Sequence, residues 1–231
     1  IQTMITIIIP VFNEKETIEN CLRAVTAAPY EKQIIVVDDA STDGTSEELG
    51  RLKYEFEFTL IVHDKNKGKG AAIKSAQQAV AGKAVIIQDG DLEYDPNDYP
   101  AVLGPILEEK EKVVYGSRNL KNNPRHSFSF YLGGRLVTAT GNMIYGTRLT
   151  DINTCYKGFE AEFFKSIPLD EPRFEFCEEV TAKATIKGAR IIEVPINYRP
   201  RTMEQGKKIR PIDGLRAIMA LVKYRFWTPD E

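Results

Sequence analysis

The chain has 231 residues, with 31 Lys plus Arg against 33 Asp plus Glu and a formal net charge of −2. At 42% hydrophobic and 28% charged residues it is long enough for one large globular domain, which excludes disordered, collagen-like and coiled-coil classes. No run approaches the roughly 18 apolar residues that cross a bilayer, and three scattered cysteines (Cys21, Cys155, Cys177) with only His63 and His126 exclude a disulfide scaffold or a zinc-type spacing.

In chain order, Met4–Val11 (MITIIIPV) is a β-branched run of strand length, and Asn13 is placed to cap a helix starting near Glu14. That helix carries Ile18, Leu22 and Val25 on one face. Gln33–Val37 is a second strand, closed by Asp38 and Asp39, and Ser41–Gly44 is turn chemistry before an acidic helix start at Ser46-Glu47-Glu48. Phe58–His63 is a third strand. Asn66–Gly70 (NKGKG) then opens an alanine-rich helix, Ala71–Ala81, and Ala84–Gln88 is a fourth strand ending in Asp89-Gly90-Asp91.

The second half is less regular. A short strand (KVVYG) follows Glu111, Phe128–Tyr145 forms one or two helices, and Phe174–Lys187 is a helix. Arg190–Val194 is a strand stopped by Pro195, and Ile212–Trp227 has apolar residues at helical spacing among basic ones. No repeat or low-complexity linker divides the chain. No basic segment followed by an apolar run opens it, so no signal peptide is expected, Met4 is a candidate native start, and a reducing compartment is expected.

Alternation of continuous apolar strands with helices predicts an α/β fold with a mostly parallel sheet covered on both faces. Ligands of such sheets bind beyond the carboxyl ends of the strands. Polar clusters fall there: Asn13-Glu14, Asp38-Asp39, Lys65–Lys69 and Asp89–Asp91. Two carboxylates flanking Gly90 just past a strand suit one Mg²⁺ or Mn²⁺, which prefers few carboxylates plus phosphate oxygens. Glu93 is near enough to be a further ligand.

IIIPVFNEKETI (7–18), VVDDASTDGT (36–45), NKGKGAAI (66–73) and QDGDLEYDP (88–96) occur in this order, followed by GSRN (116–119), LTDINTCYKGF (149–159), EVPINYRPR (193–201) and GKKI (206–209). The series resembles family 2 glycosyltransferases of the GT-A fold, in the branch of dolichyl-phosphate mannose and glucose synthases and polyprenyl-phosphate hexosyltransferases. The resemblance implies a Rossmann-like sheet, a nucleotide-sugar-binding half (1–115), an acceptor half (116–210) and a C-terminal amphipathic helix (211–231).

By the same resemblance, Pro10, Asn13, Glu14, Asp38 and Asp39 hold the nucleoside, and Lys65 and Lys69 lie near the base or diphosphate. Asp89, Gly90 and Asp91 form the metal motif, with Glu93 where the family often has Gln, and Arg118 approaches the phosphates. Asp151 precedes the acceptor segment, which reads INTCYKGF instead of the PMSGF-like stretch of mannose synthases. Cys155 is expected to be a packing residue.

The implied reaction is a metal-dependent inverting displacement. It moves a hexose, mannose from GDP-mannose favoured over glucose from UDP-glucose, to a dolichyl or polyprenyl phosphate. A lipid phosphate is already ionised, so Arg118, Arg199, Arg201 and Lys207 are expected to bring the two anions together. A saccharide hydroxyl as acceptor would need a carboxylate base, with Glu179 and Asp151 as candidates beside Asp91 and Arg118. The alternative to Glu178-Glu179 in that role is a solvated helix face. A catalytically idle sugar-nucleotide binder is disfavoured by intact Asp89, Asp91 and Arg118.

Charge is segregated along the chain. Residues 112–150 contain no acid, and they and residues 199–225 each reach +6, leaving the rest at −14. Both segments carry aromatic residues, Phe128, Phe130 and Tyr131, then Tyr224, Phe226 and Trp227. No nucleic-acid motif accompanies them. An anionic membrane surface is therefore the expected partner, with the protein peripheral on its cytoplasmic face.

Overall fold

The computed structural model describes residues 3–124, 127–202 and 210–229. The first half runs β1 (Ile5–Val11), α1 (Ile18–Ala27), β2 (Lys32–Asp38), α2 (Thr45–Leu52), β3 (Thr59–Val62), α3 (Lys69–Gln77) and β4 (Ala84–Ile87). After a short 3-10 turn at Pro96–Asp98 come α4 (Tyr99–Leu107), β5 (Val113–Ser117), α5 (Phe128–Tyr145), β6 (Lys157–Glu160) and α6 (Ala161–Lys165). The described elements end with α7 (Phe176–Ile186), β7 (Ile191–Pro195) and α8 (Pro211–Tyr224).

The seven strands form one sheet in the order β3-β2-β1-β4-β6-β5-β7. β1 pairs in parallel with β2 and β4, with Ile8 opposite both Ile35 and Ile87. A strand flanked and covered in this way has no solvated face, which is why ITIIIPV is almost entirely apolar. β6 runs antiparallel to both β4 and β5, and the other pairs are parallel. The result is the expected mixed α/β architecture, a mostly parallel sheet with helices around it. One apolar cluster runs from Ile5 to Ile196, so strands of both halves share a core.

α4 and β6 carry no clear sequence signal. α4 (YPAVLGPIL) holds two prolines and a glycine, and β6 (KGFE) has a buried lysine in a four-residue strand. Both are set by neighbours: α4 packs on β4, β5 and β6, and β6 fills the gap between β4 and β5. α1 starts at Ile18 rather than near Glu14. Asn13 is not its cap, because the residue has φ 53° and is tied to the β2–α2 turn. Its backbone N–H donates to Ser41 Oγ (2.9 Å) and its Oδ1 accepts from the Thr42 N–H (2.7 Å).

α5 is one helix, with only Val137, Thr138 and Gly141 buried. It packs against α8 through Val137, Ala217 and Leu221, and the Tyr145 hydroxyl donates to the Leu221 carbonyl (2.6 Å). α7 is enclosed from Phe176 to Ala184, so Glu178 and Glu179 are core residues and not a solvated face. Among the described residues, no helix is long and apolar enough to cross a membrane.

Candidate active site

A cavity of about 440 Å³ opens beyond the carboxyl ends of β1, β2 and β4, against the N-terminus of α3. Three non-glycine residues with positive φ, Asn13, Ala40 and Leu92, lie in the loops after these strands. Each is adjacent to an acidic residue of the cavity wall: Glu14, Asp39 and Asp91. Backbone held in a sparsely populated region beside polar groups is a common mark of a functional rim.

Asp39 organises the floor. Its carboxylate accepts from the Lys67 N–H (2.8 Å) and the Gly68 N–H (2.6 Å), and His63 Nδ1 lies 2.7 Å from Oδ1. Gly68 has φ 98°, and a Cβ there would come within 2.4 Å of the Pro172 carbonyl oxygen, so only glycine fits this bend. His63, which sequence reasoning passed over, is buried and reaches Ser75 Oγ at 2.9 Å through Nε2.

The two carboxylates of the Asp-Gly-Asp triplet both face the cavity, and each meets a cation of the chain. Lys69 Nζ pairs with Asp89, and Arg201 Nη2 donates to Asp91 Oδ2 at 2.7 Å. Arg201 also donates to Glu14 at 2.8 and 3.1 Å, while its Nε is buried with no partner among the described residues. Burial, with Asp89 and Glu93 close by, pushes the Asp91 carboxyl up to about 7.

Glu93 is not positioned as a free metal ligand. One oxygen accepts from the Arg201 N–H (2.6 Å) and the other from the Tyr198 hydroxyl (2.8 Å), so the carboxylate fastens the returning chain. Among the described residues, no group of three or more His, Cys, Asp or Glu side chains could hold a metal by itself. Asp89 and Asp91 remain a two-carboxylate pair in a polar cavity that already draws positive charge. Such a pair fits Mg²⁺ or Mn²⁺ whose other ligands come from a diphosphate.

Arg118 stands at the far wall. Its Nε and Nη2 each lie 2.7 Å from a different oxygen of Asp151, and its guanidinium is 5.1 Å from the Tyr198 ring centroid. Asp151 is 1% exposed, and its own N–H is held by Glu193 Oε1 at 2.8 Å. It is therefore a holder of Arg118 and not a free base. Beyond Arg118 lies a second cavity, about 120 Å³, whose wall includes Lys121, Arg135, Ser127 and Tyr131.

Of the residues singled out in sequence, Pro10, Glu14, Asp39, Lys69, Asp89, Gly90, Asp91, Glu93, Arg118 and Arg201 line the larger cavity. Six others do not. Asn13 and Asp38 knit turns, Asp38 being fully buried with its carboxylate taken by Ser41 and Ser46. Lys65 and Arg199 are exposed away from the wall, and Asp151 lines only the smaller cavity. Glu179 is 0% exposed, accepting from the N–H groups of Asp170 (2.7 Å) and Glu171 (2.9 Å) and pairing with Lys183 (2.7 Å). A carboxylate so enclosed reaches no acceptor hydroxyl, which corrects its assignment as a base. Lys207 lies outside the described residues.

Arg201, expected to bind the acceptor phosphate, is instead spent on Glu14 and Asp91. Sequence reasoning also missed Tyr94, Asn153, Arg173, Phe174 and Arg216 in the wall. Tyr94 and Asn153 lie within the stretches QDGDLEYDP and LTDINTCYKGF and so had a local signal. Cys155, expected to be packing, does line the cavity and sits 3.9 Å from Cys177 through sulfur.

A family model described as glycosyl transferase family 2 matches residues 6–167. The chain is 27% identical to a dolichol-phosphate mannosyltransferase of Pyrococcus furiosus, over 95% of this chain and 64% of that protein. It is 27% identical to the low-salt glycan biosynthesis hexosyltransferase Agl6 of Haloferax volcanii, over 93% of this chain but only 52% of that protein. The chain thus spans about half to two thirds of these two relatives. An undecaprenyl-phosphate mannosyltransferase of Micrococcus luteus is also 27% identical, with 90% and 88% covered. Glucosyl-3-phosphoglycerate synthase from Mycobacterium tuberculosis, solved with Mn²⁺, UDP and phosphoglyceric acid, shares the fold. It has a TM-score of 0.74 at 19% identity, with 99% of this chain and 80% of that one covered.

Proposed function

The chain belongs to glycosyl transferase family 2, and from that premise we propose that it moves a hexose from a nucleoside diphosphate to a polyprenyl phosphate at a membrane surface. The observation that carries this reading is Arg118, which lines both the carboxylate-bearing cavity and the smaller basic one. A donor diphosphate in the first and a lipid phosphate in the second would share one guanidinium, whose Nε and Nη2 are aimed by Asp151 while Nη1 stays outside that pair. Relatives named for dolichol-phosphate and undecaprenyl-phosphate mannosyl transfer support it.

In this reading residues 1–115 carry the donor half, 116–210 the acceptor half and 211–231 the C-terminal helix. Asp89 and Asp91 would hold Mg²⁺ or Mn²⁺, which supplies positive charge against the departing diphosphate. Arg118, Lys121 and Arg135 orient the acceptor phosphate. Its ionised oxygen attacks the anomeric carbon as the bond to the diphosphate breaks on the opposite side, inverting the centre. No general base is required, which agrees with Glu179 inside the core and Asp151 bound to Arg118. Mannose from GDP-mannose is the favoured donor and glucose from UDP-glucose the alternative.

The acceptor side faces an apolar surface. Phe128, Leu132 and Leu136 on α5 are exposed, as are Ile212, Leu215, Met219 and Val222 on α8 and Phe226 just after it. Phe128 is 72% and Phe226 83% exposed. Arg135, Arg216, Lys223 and Arg225 are interspersed among them. Apolar and basic residues mixed on two adjacent helices suit an anionic leaflet, so the protein would be peripheral on its cytoplasmic face.

The test is transfer of labelled mannose or glucose to a polyprenyl phosphate in anionic vesicles, with Mg²⁺ or Mn²⁺ and with chelator. Lipid-linked hexose from one donor supports the reading. Transfer only to soluble sugars, or no sedimentation with anionic vesicles at low salt, would count against it.

A further inference from the structure

We propose that Cys155 and Cys177 form a dithiol modification site in the wall of the larger cavity, closed to an intramolecular disulfide by hydrogen peroxide. The two sulfurs lie 3.9 Å apart, on residues that are 9% and 4% exposed. Cys155 sits two residues before β6 and Cys177 in the first turn of α7, so separate elements present the two thiols to each other. A disulfide brings sulfurs to about 2.0 Å, which asks roughly 1 Å of each side chain. Cys155 lines the cavity, which admits a molecule as small as peroxide, whereas Cys177 lies behind it with its thiol 3.5 Å from the Thr154 carbonyl oxygen.

The order of events follows from access. The Cys177 thiol against the Cys155 sulfur, and the positive charge of Lys69 in the same cavity wall, both favour the Cys155 thiolate. That sulfur attacks one peroxide oxygen, an S–O bond forms as the O–O bond breaks, and the departing hydroxide takes up a proton to leave as water. Cys177 sulfur then attacks Cys155 sulfur, an S–S bond forms as the S–O bond breaks, and the Cys177 proton leaves with the oxygen as a second water. Two thiols are oxidised and one peroxide is reduced to two waters. Cys21 has no second sulfur in place, its thiol meeting the Asp89 carbonyl at 3.6 Å.

The bond would act on the cavity. Closing it draws Cys155 sulfur towards α7 and strains a segment whose Cys155 N–H donates to the Tyr94 hydroxyl at 3.1 Å. Tyr94, Lys69 and Asn153 all line the cavity, so the oxidised protein should bind its nucleotide ~10-fold more weakly, an upward shift in Kd recovered on reduction.

The experiment treats the full chain with peroxide, blocks free thiols, digests with trypsin and maps masses with and without dithiothreitol. Peptides 149–157 and 174–183 joined through sulfur, released by dithiothreitol, and with Cys21 still blocked as a free thiol, are the expected result. Overturning results are linkage through Cys21, or Cys155 carried to sulfinic acid with Cys177 still free. Unmodified thiols after peroxide has oxidised an exposed thiol added to the same tube would also overturn it. Wild-type protein suffices for this map, so it stands even where Cys155→Ser or Cys177→Ser fails to fold. A second readout, Mn²⁺-dependent thermal shift by GDP and by UDP before and after oxidation, rests on the transferase reading. The mass map does not, so the two can fail separately.

Discussion

Arg118 and Asp151 form a two-pronged ion pair, with both prongs at 2.7 Å, and the carboxylate is the more deeply buried partner. Asp151 therefore acts through the guanidinium it aims, and its loss should look like misplacement of a phosphate-binding group. Asp151→Asn is expected to lower kcat/KM by about 10²-fold, as a displacement near 1 Å would. No ionisation should disappear from the pH–rate profile. If a pH limb of Asp151 vanished instead, the residue would be a base.

Arg201 occupies Asp91 and Glu14 together. Arg201→Ala leaves two largely buried carboxylates without their cation, so the metal-free protein should melt several degrees lower. Mn²⁺ alone should then stabilise the variant more than the wild type, because the ion meets no competing guanidinium. Differential scanning fluorimetry with and without Mn²⁺ checks both statements.

Metal binding should also depend on pH. The Asp91 carboxyl, pushed up to about 7, is protonated over part of the acidic range where an ordinary aspartate is charged. Apparent Mn²⁺ affinity in the presence of the nucleotide is expected to rise between pH 6 and pH 8, by roughly tenfold for one proton released. Isothermal titration at three pH values measures it, and Asp91→Asn should lose the binding at each.

Glu179→Ala is expected to unsettle the fold more than the chemistry. The substitution strands the N–H groups of Asp170 and Glu171 and leaves Lys183 short of a buried partner. A broken buried pair costs about 3 kcal/mol or more, which is roughly 6 °C in Tm for a chain of this size. Glu179→Gln, which keeps an acceptor for the backbone, should recover part of the loss and support transfer to a lipid phosphate. Abolition of transfer by this well-folded variant would restore a catalytic role.

Burial pushes the Glu178 carboxyl up to about 8, against the opposing charge of Lys157. A raised acid favours the folded protein most when protonated. Its contribution is fully present below the ordinary glutamate value of 4.5 and is lost as pH rises to about 8. Glu178→Gln should therefore flatten the fall in Tm between pH 5 and pH 8, measured as a melting series.

The first four strands, the acidic strand ends and the family are legible from the sequence alone. Each is written in contiguous residues: β-branched runs for β1 and β2, and Asp89-Gly90-Asp91 directly after β4. The basic, aromatic character of α5 and α8 is equally local. What only the tertiary structure decided is the company these residues keep. β6 enters between β4 and β5 by pairing, and Glu179 is drawn into the core by backbone N–H groups eight and nine residues away. Arg201 reaches Asp91 across 110 residues. Periodicity records which face of an element is apolar, but a charged side chain takes its role from the partner it meets. For Glu14, Asp91 and Glu93 that partner is set by how the returning segment after β7 crosses the rim.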